Sequence, residues 1–227
     1  MTAALRRSVS SLSVPNYRRY FVGQVISVSG NWMQLVAQMW LIVKLTGSGV
    51  AVGFTAGLQF APILLLGAWG GLIADRFPKR RVLMVTQPLM ALPAIALWVL
   101  VAAGTVEPWM VYALVLVRGV VNAFDNPARQ SFVIELVGPE RVVNAVSLNS
   151  VIVQAGRIIG PAAAGGMIAL AGVGPCFALN ALSFVAMLVA LQRMDASELR
   201  PTAVAPRAPD ASAPISDPTA IAAVNSA

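Results

Sequence analysis

"LLLGAWGGLIADRFPKRRVLMV", residues 64–85, sets an uncharged apolar run against a turn of one acid and four bases, then returns to apolar sequence. The first run reaches back to residue 45 and the second continues to residue 106 without another charge. Each is longer than the roughly 20 residues that carry a helix across a bilayer. Two further charge-free windows, 20–43 and 158–192, are also long enough. Across 227 residues the composition is 58% hydrophobic and 11% charged, whereas soluble domains carry about a quarter charged residues. The chain is therefore expected to be an all-α, polytopic membrane protein. Six spans are predicted, at about 20–44, 50–74, 82–103, 108–126, 142–170 and 174–192.

The net charge of +7 is concentrated at particular places. Arg6, Arg7, Arg18 and Arg19 precede the first span, and Arg76, Lys79, Arg80 and Arg81 join the second to the third. Arg129 and Arg141 lie between the fourth and fifth; Arg193, Arg200 and Arg207 follow the sixth. Lys44 stands alone on the other side. The positive-inside rule then places both termini in the cytoplasm of a multi-pass protein of the cell inner (plasma) membrane. The basic charge is topological, and a nucleic-acid partner has no support. The first apolar run is too long for the core of a signal peptide and is expected to remain as a span.

The chain has no His and one Cys, Cys176. An intrachain disulfide is excluded, and so are a zinc site and His-based acid–base chemistry. With no nucleophile–base pair and no metal set, neither an enzyme nor a cofactor is expected. No loop resembles a carbonyl filter, which argues against a channel.

Pro108 and Pro175 open spans four and six, where a missing N–H does least harm. Asn126-Pro127 is expected to close span four. A short amphipathic segment, 127–137, would then lie on the membrane, with Phe132, Val133, Leu136 and Val137 in lipid and Arg129, Gln130 and Glu135 in water. Residues 1–19 form a cytoplasmic N-terminal segment, and 20–194 the six-helix bundle. Residues 195–227, rich in Pro and Ala, are expected to be a disordered cytoplasmic tail.

Three spans carry polar rows. Gln24, Ser27, Asn31, Gln34 and Gln38 share one face of the first span, Ser147, Ser150, Gln154 and Arg157 one face of the fifth, and Arg118, Asn122, Asp125 and Arg129 one face of the fourth. Such faces either line a shared wet interior or hold a bundle together through hydrogen bonds between helices. Arg118 lies ten residues past Pro108, roughly 15 Å into the bilayer at 1.5 Å per residue, and Arg157 is similarly deep. Inserting each costs about 2.5–3.5 kcal/mol, and no acid lies as deep. The interior is net positive and suits an anionic or polyhydroxylated substrate.

Span two carries Gly53, Gly57 and Ala61, and span five Gly156, Gly160 and Ala164. Small residues four apart let two backbones approach closely, although Gly and Ala are common in membrane helices in any case. Both motifs fall on the middle helix of a triplet, which fits an inverted three-plus-three repeat. Asp75, alone among the loop bases, is placed to pair with an Arg or to cap a neighbouring helix.

The loop Gly71-x-x-x-Asp75-Arg76-x-x-Lys79-Arg80-Arg81 resembles a conformational loop motif of the major facilitator superfamily, with Pro78 where Gly is frequent. "LVLVRGVVNA", 114–123, is similar to its fourth-helix motif, which places Arg118 at the arginine linked to proton coupling. "GRIIGPAAAGG", 156–166, resembles the fifth-helix antiporter motif through Gly156, Gly160, Pro161 and Gly165, with Ala164 where Gly is usual. "NYRRYFVGQVISVSGNWMQ", 16–34, and "AFDNPARQSFVIELV", 123–137, are similar to the branch of enterobactin exporters and macrolide-efflux-like permeases. The resemblance covers about residues 12–194.

It implies a rocker-switch secondary transporter that exports small molecules, usually against protons. The substrate path would be lined by Gln24, Asn31, Gln34, Gln38, Arg118, Asn122, Gln154 and Arg157. The thin face of span five would meet the opposite half. Superfamily members have twelve helices, and this chain supplies six. One reading is thus the N-terminal half of an exporter of drugs or siderophore-like compounds, working beside a second six-helix half or as a homodimer. The other is a truncated, non-transporting remnant, or a membrane protein that only associates with partners.

Overall fold

The computed structural model describes residues 10–195. Six long helices follow a 3-10 turn at Ser10–Ser13: α1 (Pro15–Thr46), α2 (Gly49–Arg76), α3 (Lys79–Ala102), α4 (Pro108–Val137), α5 (Val142–Ala171) and α6 (Gly174–Gln192). A second 3-10 turn, Pro139–Arg141, leads into α5. No strand occurs among the described residues. The expected tail from 196 onward and the first nine residues lie outside this range.

Local chemistry sets the boundaries. Pro15 and Pro108 stand in the first turns of α1 and α4, where the absent N–H would have had no partner in the helix. Gly47 ends α1 with φ 63°, and its N–H bonds to the Val43 carbonyl, a left-handed cap that Gly adopts without steric cost. The Ser48 side chain then accepts from the Ala51 N–H and starts α2. α1 begins five residues before the predicted span.

Apart from α3 and α4, sequence neighbours are not the main spatial neighbours. α1 packs chiefly on α5 and α6, α4 on α2 and α3, and α3 on α6. These pairings map onto each other when the first three helices are exchanged with the last three. One core, at the end carrying the basic loop, joins Tyr17, Tyr20, Leu83, Phe132, Leu136 and Leu191. Another, toward the opposite end, joins Met33, Ile42, Leu97, Val111 and Phe177.

The outer surface is apolar. Val50, Leu64, Leu65, Ile158 and Leu170 are among the most exposed large side chains, far more apolar area than a water-facing monomer displays. α2, α3, α5 and α6 are long and apolar enough to cross a membrane. α1 and α4, which carry polar rows, fall outside that group. Only 11% of the apolar window of α2 and 17% of that of α5 is buried, against 50% for α6.

Two expectations are corrected. α4 does not stop at Asn126 but runs unbroken through Pro127 to Val137. There is no separate amphipathic segment: Phe132, Val133, Leu136 and Val137 are buried in the core at the basic end. Arg129 and Glu135 turn inward to ion pairs, and only Gln130 of the expected polar face is exposed.

The reason lies in how α2 meets α4. Pro127 deprives the Ala123 carbonyl of its helical donor, and that carbonyl faces Gly70, where an added Cβ would sit 2.1 Å from it. Pro62 in α2 frees the Leu58 carbonyl in the same way, and this one faces Gly119 of α4, at 3.2 Å from a Cβ there. Each proline thus exposes a carbonyl toward a glycine of the other helix, a geometry suited to Cα–H···O contacts.

The small-residue motifs divide. On α5, a Cβ on Gly156 would lie 2.6 Å from Val28 Cγ1, and one on Gly160 would lie 2.5 Å from Trp32 Cβ. Ala164 is fully buried. The thin face of α5 therefore presses on α1, inside this bundle, and not on an opposite half. Gly53 and Gly57 of α2 face open space, and α2 makes its close approach through Gly70 instead.

Candidate functional site

The polar row of α1 fans out to several helices. Gln24 is buried and accepts a hydrogen bond from Arg129 Nη1 of α4. About two turns on, Asn31 Oδ1 accepts from Arg118 Nη2 at 2.8 Å. Gln34, fully buried, accepts from Asn180 Nδ2 of α6. Gln38, also fully buried, donates through Nε2 to Gln59 Oε1 of α2. Gly30 makes room for the α6 contact: a Cβ there would fall 2.5 Å from Asn180 Oδ1.

Arg118 is 7% exposed. Its bond to Asn31 uses one nitrogen, and Nε and Nη1 have no protein partner. A guanidinium has five N–H donors in a planar fork, so most of this one's donor capacity is unspent. Asn122, one turn along, is half-buried.

Arg157 and Gln154 do not join this interior. Both are exposed on α5, where Arg157 Nη1 donates to Gln154 Oε1 at 3.2 Å. The guanidinium stacks over Trp32 of α1, 5.1 Å from the ring centroid. A cation over an indole face is held by the ring quadrupole. Pro161 lies within α5 without breaking it, and Gly165 is exposed.

A second polar centre lies nearer the basic end. Asp125 is buried, and its Oδ1 accepts from Thr86 Oγ1 at 2.5 Å and from Gln87 Nε2 at 2.7 Å. Its Oδ2 accepts from Arg129 Nε at 2.9 Å and pairs with Arg129 Nη2 at 2.9 Å. The two-nitrogen contact and the link from Arg129 to Gln24 bind α1, α3 and α4 through one ion pair.

The basic loop is split between structure and exposure. Lys79 Nζ pairs with Glu135 at 2.9 Å, with both side chains largely covered. Arg80 donates through Nε to the Leu191 carbonyl at 2.9 Å and through Nη2 to the Gln192 carbonyl at 3.2 Å. It therefore caps the last turn of α6, where a cation also offsets the helix dipole. On the α1 side, Arg19 Nη1 donates to the Arg193 carbonyl at 2.9 Å, and Asn16 exchanges two bonds with the Asp195 backbone. Asp75, Arg76 and Arg81 are exposed, and Gly71 is half-buried with open space where a Cβ would be.

Reversing the charge of Lys79 (Lys79→Glu) is expected to lower stability in detergent by about 3 kcal/mol, because it leaves Glu135 covered beside a like charge. The exchanged pair Lys79→Glu/Glu135→Lys should recover most of that loss. Thermal unfolding of the single and double variants checks this, and a double variant no better than the single one would rule out a direct pair.

The predicted site residues did not include Asp125, Arg129, Thr86, Gln87, Gln59, Asn180 or Glu135. A usable signal existed for all but Glu135: each is a polar group in or beside a predicted span, and each therefore needs a partner. Asp125 and Arg129 are also one helical turn apart, the spacing of an ion pair.

Comparison with known proteins identifies the family. Residues 7–208 match the family described as transmembrane secretion effector. The staphyloferrin A transporter of Staphylococcus aureus is 31% identical over 174 residues, covering 76% of this chain and 44% of the relative. The multidrug efflux pump Tap of Mycolicibacterium fortuitum is 30% identical over 63% of this chain and 36% of its own length. The enterobactin exporter EntS of Salmonella paratyphi A is 26% identical over 77% of this chain and 42% of its own. The chain spans less than half the length of these curated relatives. By the family match over most of its residues, and by a helical bundle with apolar outer faces, the chain belongs to the transmembrane secretion effectors of the major facilitator superfamily, a family of membrane transporters.

Proposed function

We propose that this chain is the first six-helix half, built as a three-plus-three inverted repeat, of a secondary active transporter that exports small molecules from bacteria. Its basic end, with the start of α1 and the end of α6, faces the cytoplasm across the inner membrane. Among the described residues, nine Lys and Arg lie toward that end (Arg18, Arg19, Arg76, Lys79, Arg80, Arg81, Arg129, Arg141 and Arg193) against Lys44 alone at the other, which supports this orientation. The exchange symmetry of the helix pairings supports the repeat.

The observation that carries the reading is Arg118. A cation near mid-membrane, bonded to Asn31 and holding two nitrogens without a protein partner, is an expensive feature for a merely structural helix. It suits recognition of an anionic or hydroxyl-rich solute at the interior face of α1 and α4, with Asn122 beside it. Gln24, Gln34 and Gln38 act behind that face by fixing α1 against α4, α6 and α2. The names of the relatives, a staphyloferrin A transporter, an enterobactin exporter and a multidrug efflux pump, support export of compounds of those kinds. The sparse coverage of α2 and α5 supports a second six-helix body, from another chain or another copy, against those helices. Asp75, Arg76 and Arg81, exposed at the end of α2 and the start of α3, would meet it during the conformational change.

We further propose that export is driven by the proton gradient and that Arg118 takes part in the coupling. In proteoliposomes containing the full chain, with a macrolide and a siderophore as solutes, imposed pH gradients should drive efflux. Arg118→Ala should reduce gradient-driven efflux at least about tenfold, which corresponds to roughly 1.4 kcal/mol. Arg118→Lys, which keeps the charge but loses the fork, should fall between the two. Unchanged gradient dependence in Arg118→Ala would remove this residue from the coupling role.

A further inference from the structure

A groove of about 490 Å³ runs along the junction of α1 and α6 at the basic end. Its walls are apolar, formed by Val22 and Ile26 of α1 and Val189 of α6. All three face outward, Val22 at 55% exposure. Gly23 sets the floor: a Cβ there would be 3.0 Å from both Ala190 Cβ and Met187 Sδ, so the two helices lie close beneath the trough.

The mouth of the groove has the opposite character. Among the described residues, Arg18, Arg19 and Arg193 line it, and no acid does. Among the described residues the two salt bridges are Lys79–Glu135 and Arg129–Asp125, and neither involves these three arginines. Arg19 is held in place by its bonds to the Arg193 carbonyl and to Asn16 Oδ1, at 2.9 and 3.3 Å. Arg18 and Arg193 are exposed.

We propose that this groove binds one anionic phospholipid. Its phosphate sits on Arg18, Arg19 and Arg193, and one acyl chain lies along Val22, Ile26 and Val189. The inference rests on the membrane orientation proposed above, which places the three arginines at headgroup depth and the trough in the hydrocarbon. Charge complementarity selects the occupant. A zwitterionic lipid would bring its own cation to three guanidinium groups, whereas an anionic one brings only the phosphate charge. Each Lys or Arg near an anionic lipid surface contributes about 1 kcal/mol, or roughly fivefold in affinity. The basic pockets between helices that hold anionic headgroups on the cytoplasmic side follow the same rule.

The test counts bound lipid on the full chain in neutral detergent by native mass spectrometry. Titrations use dioleoylphosphatidylglycerol, dioleoylphosphatidylcholine or inorganic phosphate. One phosphatidylglycerol should be retained with about tenfold preference over phosphatidylcholine, and millimolar phosphate should not displace it. Arg18→Gln/Arg193→Gln, which alters two exposed side chains, should reduce the preference to within about twofold. Ala186→Phe, which fills the trough without changing charge, should weaken retention of both lipids. Arg76→Gln/Arg81→Gln, which removes the same charge elsewhere at the basic end, should leave the preference unchanged. Equal binding of the two lipids, displacement by phosphate alone, or equal loss in both arginine pairs overturns the proposal. Because no transport is measured, a chain that exports solute without lipid preference sinks only this inference, and an inactive chain still tests it.

Discussion

Gly70→Ala is expected to be among the most damaging single-methyl changes in this chain. The added Cβ would stand 2.1 Å from the Ala123 carbonyl oxygen and 3.0 Å from its carbon. These are backbone atoms, so no rotamer change relieves the clash, and α2 and α4 must separate along their shared length. Overpacking in a closely fitted interior costs about 1–3 kcal/mol, and more where the backbone must move. We expect a loss of about 3 kcal/mol, read as a lower thermal midpoint in detergent and a smaller monodisperse fraction. Gly53→Ala supplies the contrast on the same helix. A Cβ there meets nothing within 4 Å, and Ala is favoured over Gly in a helix by about 1 kcal/mol, so that variant should match or exceed the parent. Equal losses in the two variants would refute the α2–α4 crossing at Gly70.

Asp125→Ala is expected to cost as much or more, about 3–5 kcal/mol, because it leaves the Arg129 cation enclosed without its counter-charge. It also strips Gln87 Nε2 of its acceptor, which adds about 1–3 kcal/mol, whereas Thr86 Oγ1 keeps the Leu83 carbonyl at 3.3 Å. The informative comparison is the double variant Asp125→Asn/Arg129→Gln, which removes both charges and keeps hydrogen-bonding groups of similar size. Replacing a buried ion pair as a unit is often neutral, so this variant should regain most of the loss of Asp125→Ala. If the double variant is no more stable than the single one, Asp125 and Arg129 do not act as a pair. Protease resistance at the loop after α4, together with thermal unfolding, would separate the two outcomes.

The helices and their boundaries were largely legible in the sequence because apolar length and basic flanks are one-dimensional signals. Five of the six predicted spans coincide with helices to within a few residues at most ends. Span four was misjudged at Pro127, because whether a proline ends a helix or merely removes one bond depends on what meets the freed carbonyl. Here the Ala123 carbonyl meets Gly70, fifty-three residues earlier in the chain, and no local pattern announces that. Span two shows a related limit: Gly53 and Gly57 have the spacing of a packing face but meet open space within this bundle, and Gly70 carries the contact with α4.

The polar row of α1 was legible as a row but not as a site. Its members run from Gln24 to Gln38, roughly 21 Å along the axis at 1.5 Å per residue. Over that distance the neighbouring helices cross and change, so one face meets α4 at Gln24 and Asn31, α6 at Gln34 and α2 at Gln38. Arg118 and Arg157 looked alike in depth, yet one is enclosed beside Asn31 and the other lies exposed on Trp32. Burial is a property of the packed neighbours, and spacing within one helix does not encode it.

The side chains that hold the last turn of α6 also define a mechanical load path. Arg80 from α3, and Arg19 and Asn16 from α1, bond to the backbone of residues 191, 192, 193 and 195. A tug on the chain at Asp195 would therefore load several hydrogen bonds in parallel, anchored on two different helices, instead of unzipping α6 one turn at a time. Force delivered there would be handed directly to the start of α1, so these two helices would respond to tension as a single lever.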